Sequence, residues 1–147
     1  MIVKGAAAME AFGASLADLI LPGDIIALTG DLGAGKTTLA RGLLRGLGHD
    51  GEVPSPSFAI VQPYEPPSVR LPLAHVDLYR LESDVEVAEL GLDEWLADGA
   101  LVVEWPDRLG AALLHGALGL TIDVGEDGAR VLTARVPGAW ERRWPHR

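Results

Sequence analysis

Gly30-Asp31-Leu32-Gly33-Ala34-Gly35-Lys36-Thr37 is the stretch of this 147-residue chain whose residue types and spacing specify a chemistry. It fits G-x-x-x-x-G-K-S/T, the loop that holds nucleotide phosphates. Glycines let successive backbone N–H groups turn inward around anionic oxygens with no Cβ in the way. A helix leaving the loop aims the positive end of its dipole at the same oxygens. Lysine adds a point charge for the β- and γ-phosphates, and the next hydroxyl is a ligand for Mg²⁺. At this composition chance would write the pattern about 0.002 times over the whole chain, so an incidental match is a poor explanation.

Hydrolysis at such a loop needs a second carboxylate at the end of a neighbouring strand, on the metal side. Glu104 ends the apolar run ALVVE, and Asp77 ends LPLAHVD. Spacing does not decide which of them faces the metal, because a strand-end carboxylate is equally at home in solvent. Absences narrow the nucleotide. The chain has no asparagine, and neither lysine, Lys4 or Lys36, has an aspartate two positions on, so the N/T-K-x-D guanine reader is missing. No LSGGQ-type signature occurs. A small-molecule kinase would need a lid and an acceptor pocket, for which the rest of the chain leaves little room. The balance favours ATP.

For the loop to work, a buried strand must enter it and a helix must leave it. Ile25 to Leu28 is a short apolar run that leads to Gly30, and Leu39, Leu43, Leu44 and Leu47 recur at helical spacing up to a stop at Gly48. Upstream, Phe12, Leu16, Leu19 and Ile20 place an apolar face on a helix over residues 6–21, closed by Pro22-Gly23. Downstream, FAIVQPY (58–64) reads as a strand. A turn through Pro66-Pro67-Ser68 then leads to a second strand in which Leu71, Leu73, His75 and Asp77 share one face. Residues 84–97 hold two short helical patterns broken at Gly91. ALVVEW is another buried strand, and 117–124 with 130–136 makes a terminal hairpin across Gly125-Glu126-Asp127-Gly128. No repeat or linker divides these elements. The expectation is a single α/β domain over 1–147, with a P-loop NTPase fold whose mixed, partly antiparallel sheet is flanked by helices. Its last residues, 139–147, carry Arg142, Arg143, His146 and Arg147 and read as a flexible basic tail.

Composition bounds the function classes. Twelve Lys and Arg against 21 Asp and Glu give a net charge of −9 and a pI near 4.7, which argues against direct, tight binding to nucleic acid. With no cysteine, disulfides, Cys-ligated zinc and iron–sulfur clusters are excluded. No apolar run approaches the roughly 18 residues of a membrane span. Glu10 and Asp18 interrupt the early Ala-rich stretch before a signal-peptide core could form, so a cytoplasmic protein is expected.

Taken together, GDLGAGKTT, SPSF, HVDLYRL and LVVEWPDRL, in this order and at these separations, resemble the TsaE (YjeE) family of small bacterial P-loop ATPases, from about residue 12 to about residue 135. The resemblance implies a role in threonylcarbamoyl modification of adenosine in tRNA. In that family a TsaD–TsaB pair transfers the group, and TsaE hydrolyses ATP to permit repeated turnover. Asp31, Gly33, Ala34, Gly35, Lys36, Thr37 and Thr38 would then surround the ATP phosphates, with Thr37 and Glu104 on Mg²⁺. Asp77 would orient the attacking water. Ser57, where the family often has threonine, would belong to a switch-like loop. Trp105 and Arg130 match positions beside the nucleotide. Contact with tRNA would be indirect, through the partners.

Simpler readings stand beside these. Trp105 fits an ordinary core position, His75 a structural one, and Ser57 a plain loop hydroxyl. Tyr79 and Arg80 fit residues that hold the loop after Asp77. The acid-rich stretch from Glu82 to Asp98 fits a solvated helical face. No histidine has metal-ligand spacing, and Arg80 is the only internal arginine the sequence offers for the transferring phosphate. Two other functions remain open at this level: a nucleotide-gated protein-binding module and a small-molecule kinase.

Overall fold

The computed structural model describes residues 1–57 and 60–146. Seven strands form one sheet: β1 (Ile2–Val3), β2 (Ile25–Thr29), β3 (Val61–Tyr64), β4 (Leu73–Asp77), β5 (Ala100–Glu104), β6 (Leu118–Val124) and β7 (Arg130–Arg135). Their order is β1-β7-β6-β2-β5-β4-β3. The inner four run parallel, whereas β3, β7 and β1 pair antiparallel at the flanks. This is the mixed sheet expected from the sequence. β4 and β5 are buried along their whole length and β2 up to its last residue, because helices cover both faces, and this is why these strands read as continuous apolar runs.

One face carries α1 (Ala6–Leu16) and α2 (Lys36–Gly46). They cross so closely that a Cβ at Gly13 would collide with the Leu39 carbonyl, and one at Gly42 with the Glu10 carbonyl. Glycine inside a helix costs up to about 1 kcal/mol of helix propensity; here it permits the backbones to touch. The other face carries α3 (Asp84–Ala88), α4 (Leu92–Trp95), a 3-10 turn over Pro106–Arg108, and α5 (Ala111–His115). Gly91 adopts a left-handed conformation between α3 and α4, where the sequence placed the break. Among the described residues, no helix is long and apolar enough to cross a membrane.

Three sequence expectations change. The first helix ends at Leu16 rather than 21, and its chain tightens to a Leu19 N–H bond on the Leu16 carbonyl before Pro22. The strand expected over 58–64 is observed from Val61, and Phe58 and Ala59 lie outside the described residues. The third change is the largest: residues 139–146 are not a free solvated tail. They form α6 (Gly138–Glu141) and lay Trp140 and Trp144 into the core shared by α1 and α2. Two indole rings bury enough apolar area to outweigh the cost of ordering a terminus. Arg143 adds an ion pair with Asp24, at 2.6 Å. Arg147 lies outside the described residues.

Candidate functional site

The phosphate loop sits where β2 ends and α2 begins, at the carboxyl edge of the parallel strands, as open α/β sheets place their ligand sites. Gly35 takes φ 118° just before the helix, a conformation that an L side chain resists. Register brings the two carboxylates into line. Leu28 on β2 lies opposite Glu104 on β5, and Glu104 lies opposite Asp77 on β4. A cavity of about 250 Å³ opens over them. It is lined by backbone and side chains of the loop (Gly33, Gly35, Lys36, Thr37 and Thr38) and by Ser57, Asp77, Glu104 and Trp105.

Three charged side chains are buried here: Lys36 at 5% exposure, Asp77 at 7% and Glu104 at 3%. Burying charge without a partner is costly, so such a grouping needs a physical account. The Lys36 ammonium donates to the carbonyls of Gly30 and Asp31 and lies 4.2 Å from the Trp105 ring centroid. It forms no ion pair with either carboxylate. Burial lowers its pKa from the ordinary lysine value, against the opposing pull of Glu104, Asp77 and Asp31. The Thr37 hydroxyl meets both carboxylate oxygens of Glu104, at 3.2 and 3.1 Å, and the His75 ring approaches Oε2 at 2.6 Å. Asp77 accepts the Tyr79 N–H at 2.9 Å on one oxygen and the Ser57 hydroxyl at 3.3 Å on the other, and Ser57 in turn meets the Ser55 hydroxyl at 2.8 Å.

Trp105 departs from an ordinary core residue. Its φ of 56° is left-handed, at a cost of roughly 1–2 kcal/mol for an L residue. The turn swings the indole off the end of β5, over Lys36 and against Tyr79, with ring centroids 4.8 Å apart. Strain at a ligand-facing residue is an observation that points toward function.

Most of the residues singled out from the sequence therefore converge, and the exceptions are informative. Asp31 is exposed, and it reaches the site through its carbonyl rather than its carboxylate. Ala34 is buried, and its carbonyl accepts the Arg130 Nε–H at 2.8 Å. Arg130 also donates to the carbonyls of Gly33 and Gly128, so its guanidinium braces the loop from outside the phosphate cavity. It borders a second hollow of about 160 Å³, which shares Gly33, Gly35 and Thr38 with the first and is completed by Gly5, Ala6, Met9 and Gly128. Sequence reasoning missed Leu32 and Ser55 as lining residues and the His75 contact. It could hardly have found Gly128, which comes from the turn before β7. Larger hollows elsewhere, of about 480 and 650 Å³, hold none of the three buried charges.

The donor set suits Mg²⁺. A hydroxyl and a carboxylate already stand side by side at Thr37 and Glu104, both hard oxygen ligands, and Mg²⁺ ordinarily takes its remaining ligands from phosphates and water. Among the described residues there is no cluster of three or more His, Cys, Asp or Glu that could hold a metal ion.

Comparisons with known proteins bear on the family of the chain. Residues 3–132 match the family model described as "Threonylcarbamoyl adenosine biosynthesis protein TsaE". The chain is 43% identical over 137 residues to the tRNA threonylcarbamoyladenosine biosynthesis protein TsaE of Streptomyces coelicolor, covering 91% of this chain and 93% of that one. It is 41% identical over 118 residues to the protein of the same name from Bacillus subtilis, covering 80% and 72%. The crystal structure of Bacillus subtilis YdiB superposes with a TM-score of 0.80 at 31% identity, over 97% of this chain and 88% of that one. With the phosphate loop, both strand-end carboxylates and the tryptophan in one cavity, and a match over nearly the whole chain, this protein belongs to the TsaE family.

Proposed function

We propose that this protein binds Mg·ATP and hydrolyses it to ADP and phosphate in the cytoplasm, and that hydrolysis drives turnover of a TsaD–TsaB-type transferase pair in threonylcarbamoyladenosine modification of tRNA. The observation that carries this reading is the burial of Lys36, Asp77 and Glu104 around one cavity with no ion pair among them. Such a grouping is poorly compensated until a polyanion and a cation enter it.

In this reading the loop amides and Lys36 hold the β- and γ-phosphates, and Thr37 and Glu104 hold Mg²⁺. When bound, Mg²⁺ offsets charge on the phosphate oxygens. Asp77, fixed through both oxygens by Tyr79 and Ser57, orients the attacking water. Trp105 covers the phosphates and keeps bulk solvent away. The adjoining hollow beside Met9 and Arg130 accepts the base and ribose. Among the described residues, no arginine lines the phosphate cavity. Hydrolysis by the chain alone is therefore slow, and a partner speeds it by ordering the site or adding a cation. A net charge of −9 leaves tRNA to those partners.

The test is phosphate release from Mg·ATP, by the chain alone and with the TsaD–TsaB pair, with Glu104→Ala as control. Release that rises with the pair and vanishes in the variant supports the reading. An unchanged rate on adding the pair removes the partner-driven part. Phosphate appearing on an organic acceptor instead of free in solution would make the protein a kinase.

A further inference from the structure

We infer that His75 is a positioning residue for the metal-side carboxylate: its ring holds Glu104 in the orientation that presents the carboxylate to Thr37 and the cavity. The inference rests on the nucleotide reading above and adds a residue to it.

His75 lies two positions before Asp77 on β4, on the same face of the sheet, and Glu104 lies opposite Asp77 on β5. The ring therefore reaches diagonally across the strands. The Nε2–Oε2 distance is 2.6 Å, His75 is fully buried and Glu104 is 3% exposed. With Glu104 ionised, Nε2–H donates, as the charge-assisted form of this bond requires. A histidine kept for core architecture alone would be expected to spend both nitrogens on its surroundings. Here Nδ1 is buried and has no hydrogen-bond partner among the described residues, so the polar chemistry of the ring goes entirely to Glu104. The neutral tautomer makes that unpaired nitrogen a bare acceptor and strands no donor proton.

The bond has a geometric consequence. A glutamate at a strand end has three side-chain torsions to choose from. Anchoring Oε2 behind the site selects a rotamer in which both oxygens also meet the Thr37 hydroxyl, at 3.2 and 3.1 Å. Without the ring, the carboxylate loses its aim. Hydrogen-bond partners behind a metal ligand commonly contribute about 10- to 100-fold in metal affinity or activity.

Two amide variants isolate this role. In His75→Gln the side-chain amide can reach the Nε2 position, whereas in His75→Asn it falls one methylene short. Binding of ADP and of the non-hydrolysable analogue AMP-PNP, with and without Mg²⁺, reads the metal contribution independently of turnover. Thermal melting reads the fold. We expect His75→Asn to weaken the Mg²⁺-dependent part of binding by about 10- to 100-fold, with metal-free ADP affinity unchanged and phosphate release reduced in parallel. His75→Gln stays within about threefold of the parent on each readout. Equal behaviour of the two variants, whether both match the parent or both fail, overturns the inference. If the parent chain itself shows no Mg²⁺-dependent binding of either nucleotide, the ATP reading falls first and takes this one with it.

Discussion

Asp24 immediately precedes β2 and Glu104 closes β5, so these two buried carboxylates stand at opposite edges of the parallel strands. Asp24 has everything a buried carboxylate needs. It accepts the Leu21 N–H at 2.7 Å and receives both arms of the Arg143 guanidinium, at 2.6 and 3.1 Å. The same two arms of Arg143 also donate to the carbonyls of Leu19 and Ala139, and the guanidinium stacks on Trp140. That edge is a closed ion pair, and it fastens the end of the chain to the loop after α1. Among the described residues Glu104 pairs with no lysine or arginine: it meets Thr37 and His75, and the lysine beside it gives its protons to loop carbonyls. The same residue chemistry thus serves two ends. Where charge is matched inside the chain, it holds structure. Where it is left unmatched, the chain has room for an ion and a polyanion.

The sharpest way to break this comparison is to remove the cation at the open edge. Lys36→Ala should lower ATP affinity by at least about 100-fold, measured by calorimetry, while the melting temperature holds or rises because a desolvated charge is gone. A collapsed fold would mean that Lys36 is structural after all. Next comes Glu104→Gln, which keeps shape and removes charge. We expect phosphate release to fall by on the order of 100-fold, with metal-free ADP affinity nearly unchanged. Parallel loss of both would place Glu104 in nucleotide binding at large rather than on the metal.

The closed edge should answer oppositely. Arg143→Met leaves Asp24 partly buried without its cation, and should cost about 2–3 kcal/mol in denaturant unfolding. That figure sits below the range for a fully buried pair because the Arg143 side chain is 20% exposed. Nucleotide affinity should not move. Adding Asp24→Asn should recover part of the loss, since the neutral amide no longer needs a counter-charge.

The smallest effect tests another buried polar group, on β3. The Tyr64 hydroxyl is buried without a hydrogen-bond partner among the described residues, and burial raises its pKa above the ordinary 10. The folded state therefore keeps its proton in a range where the unfolded chain has lost it, and stability falls as pH rises from about 10 toward the folded value. Tyr64→Phe should remove that slope. At neutral pH it should be neutral or slightly stabilising, by up to about 1 kcal/mol, as read from melting curves at pH 7 and above 10.

How far the sequence carries can be judged from particular residues. The βα unit around the loop was legible because local rules govern it: an apolar run too short for a helix, glycines at turning points, and leucines at helical spacing. Asp77 and Glu104 were recognisable as strand-end acids, but their alignment depends on the parallel register of β4 and β5, which no local pattern encodes. The family resemblance put Arg130 beside the nucleotide. That its donors go to the loop's carbonyls depends on β7 returning beside the loop. The tail was misread because Arg142, Arg143, His146 and Arg147 suggest solvent, whereas Trp140 and Trp144 decide where the segment lies.

By itself, then, the sequence determined the chemistry available to this protein: a phosphate loop, a threonine hydroxyl after its lysine, two strand-end acids and a tryptophan after one of them. Loop conformation, helix start and strand burial follow from neighbours within a few residues, so they are written locally. Tertiary structure alone decided which groups compensate one another. Electrostatic and hydrogen-bond partnerships depend on distance in space, and distance across a parallel sheet is set by packing. The touching backbones at Gly13 and Gly42, the Asp24–Arg143 clasp 119 residues apart in the chain and the His75 ring behind Glu104 all belong to that second class.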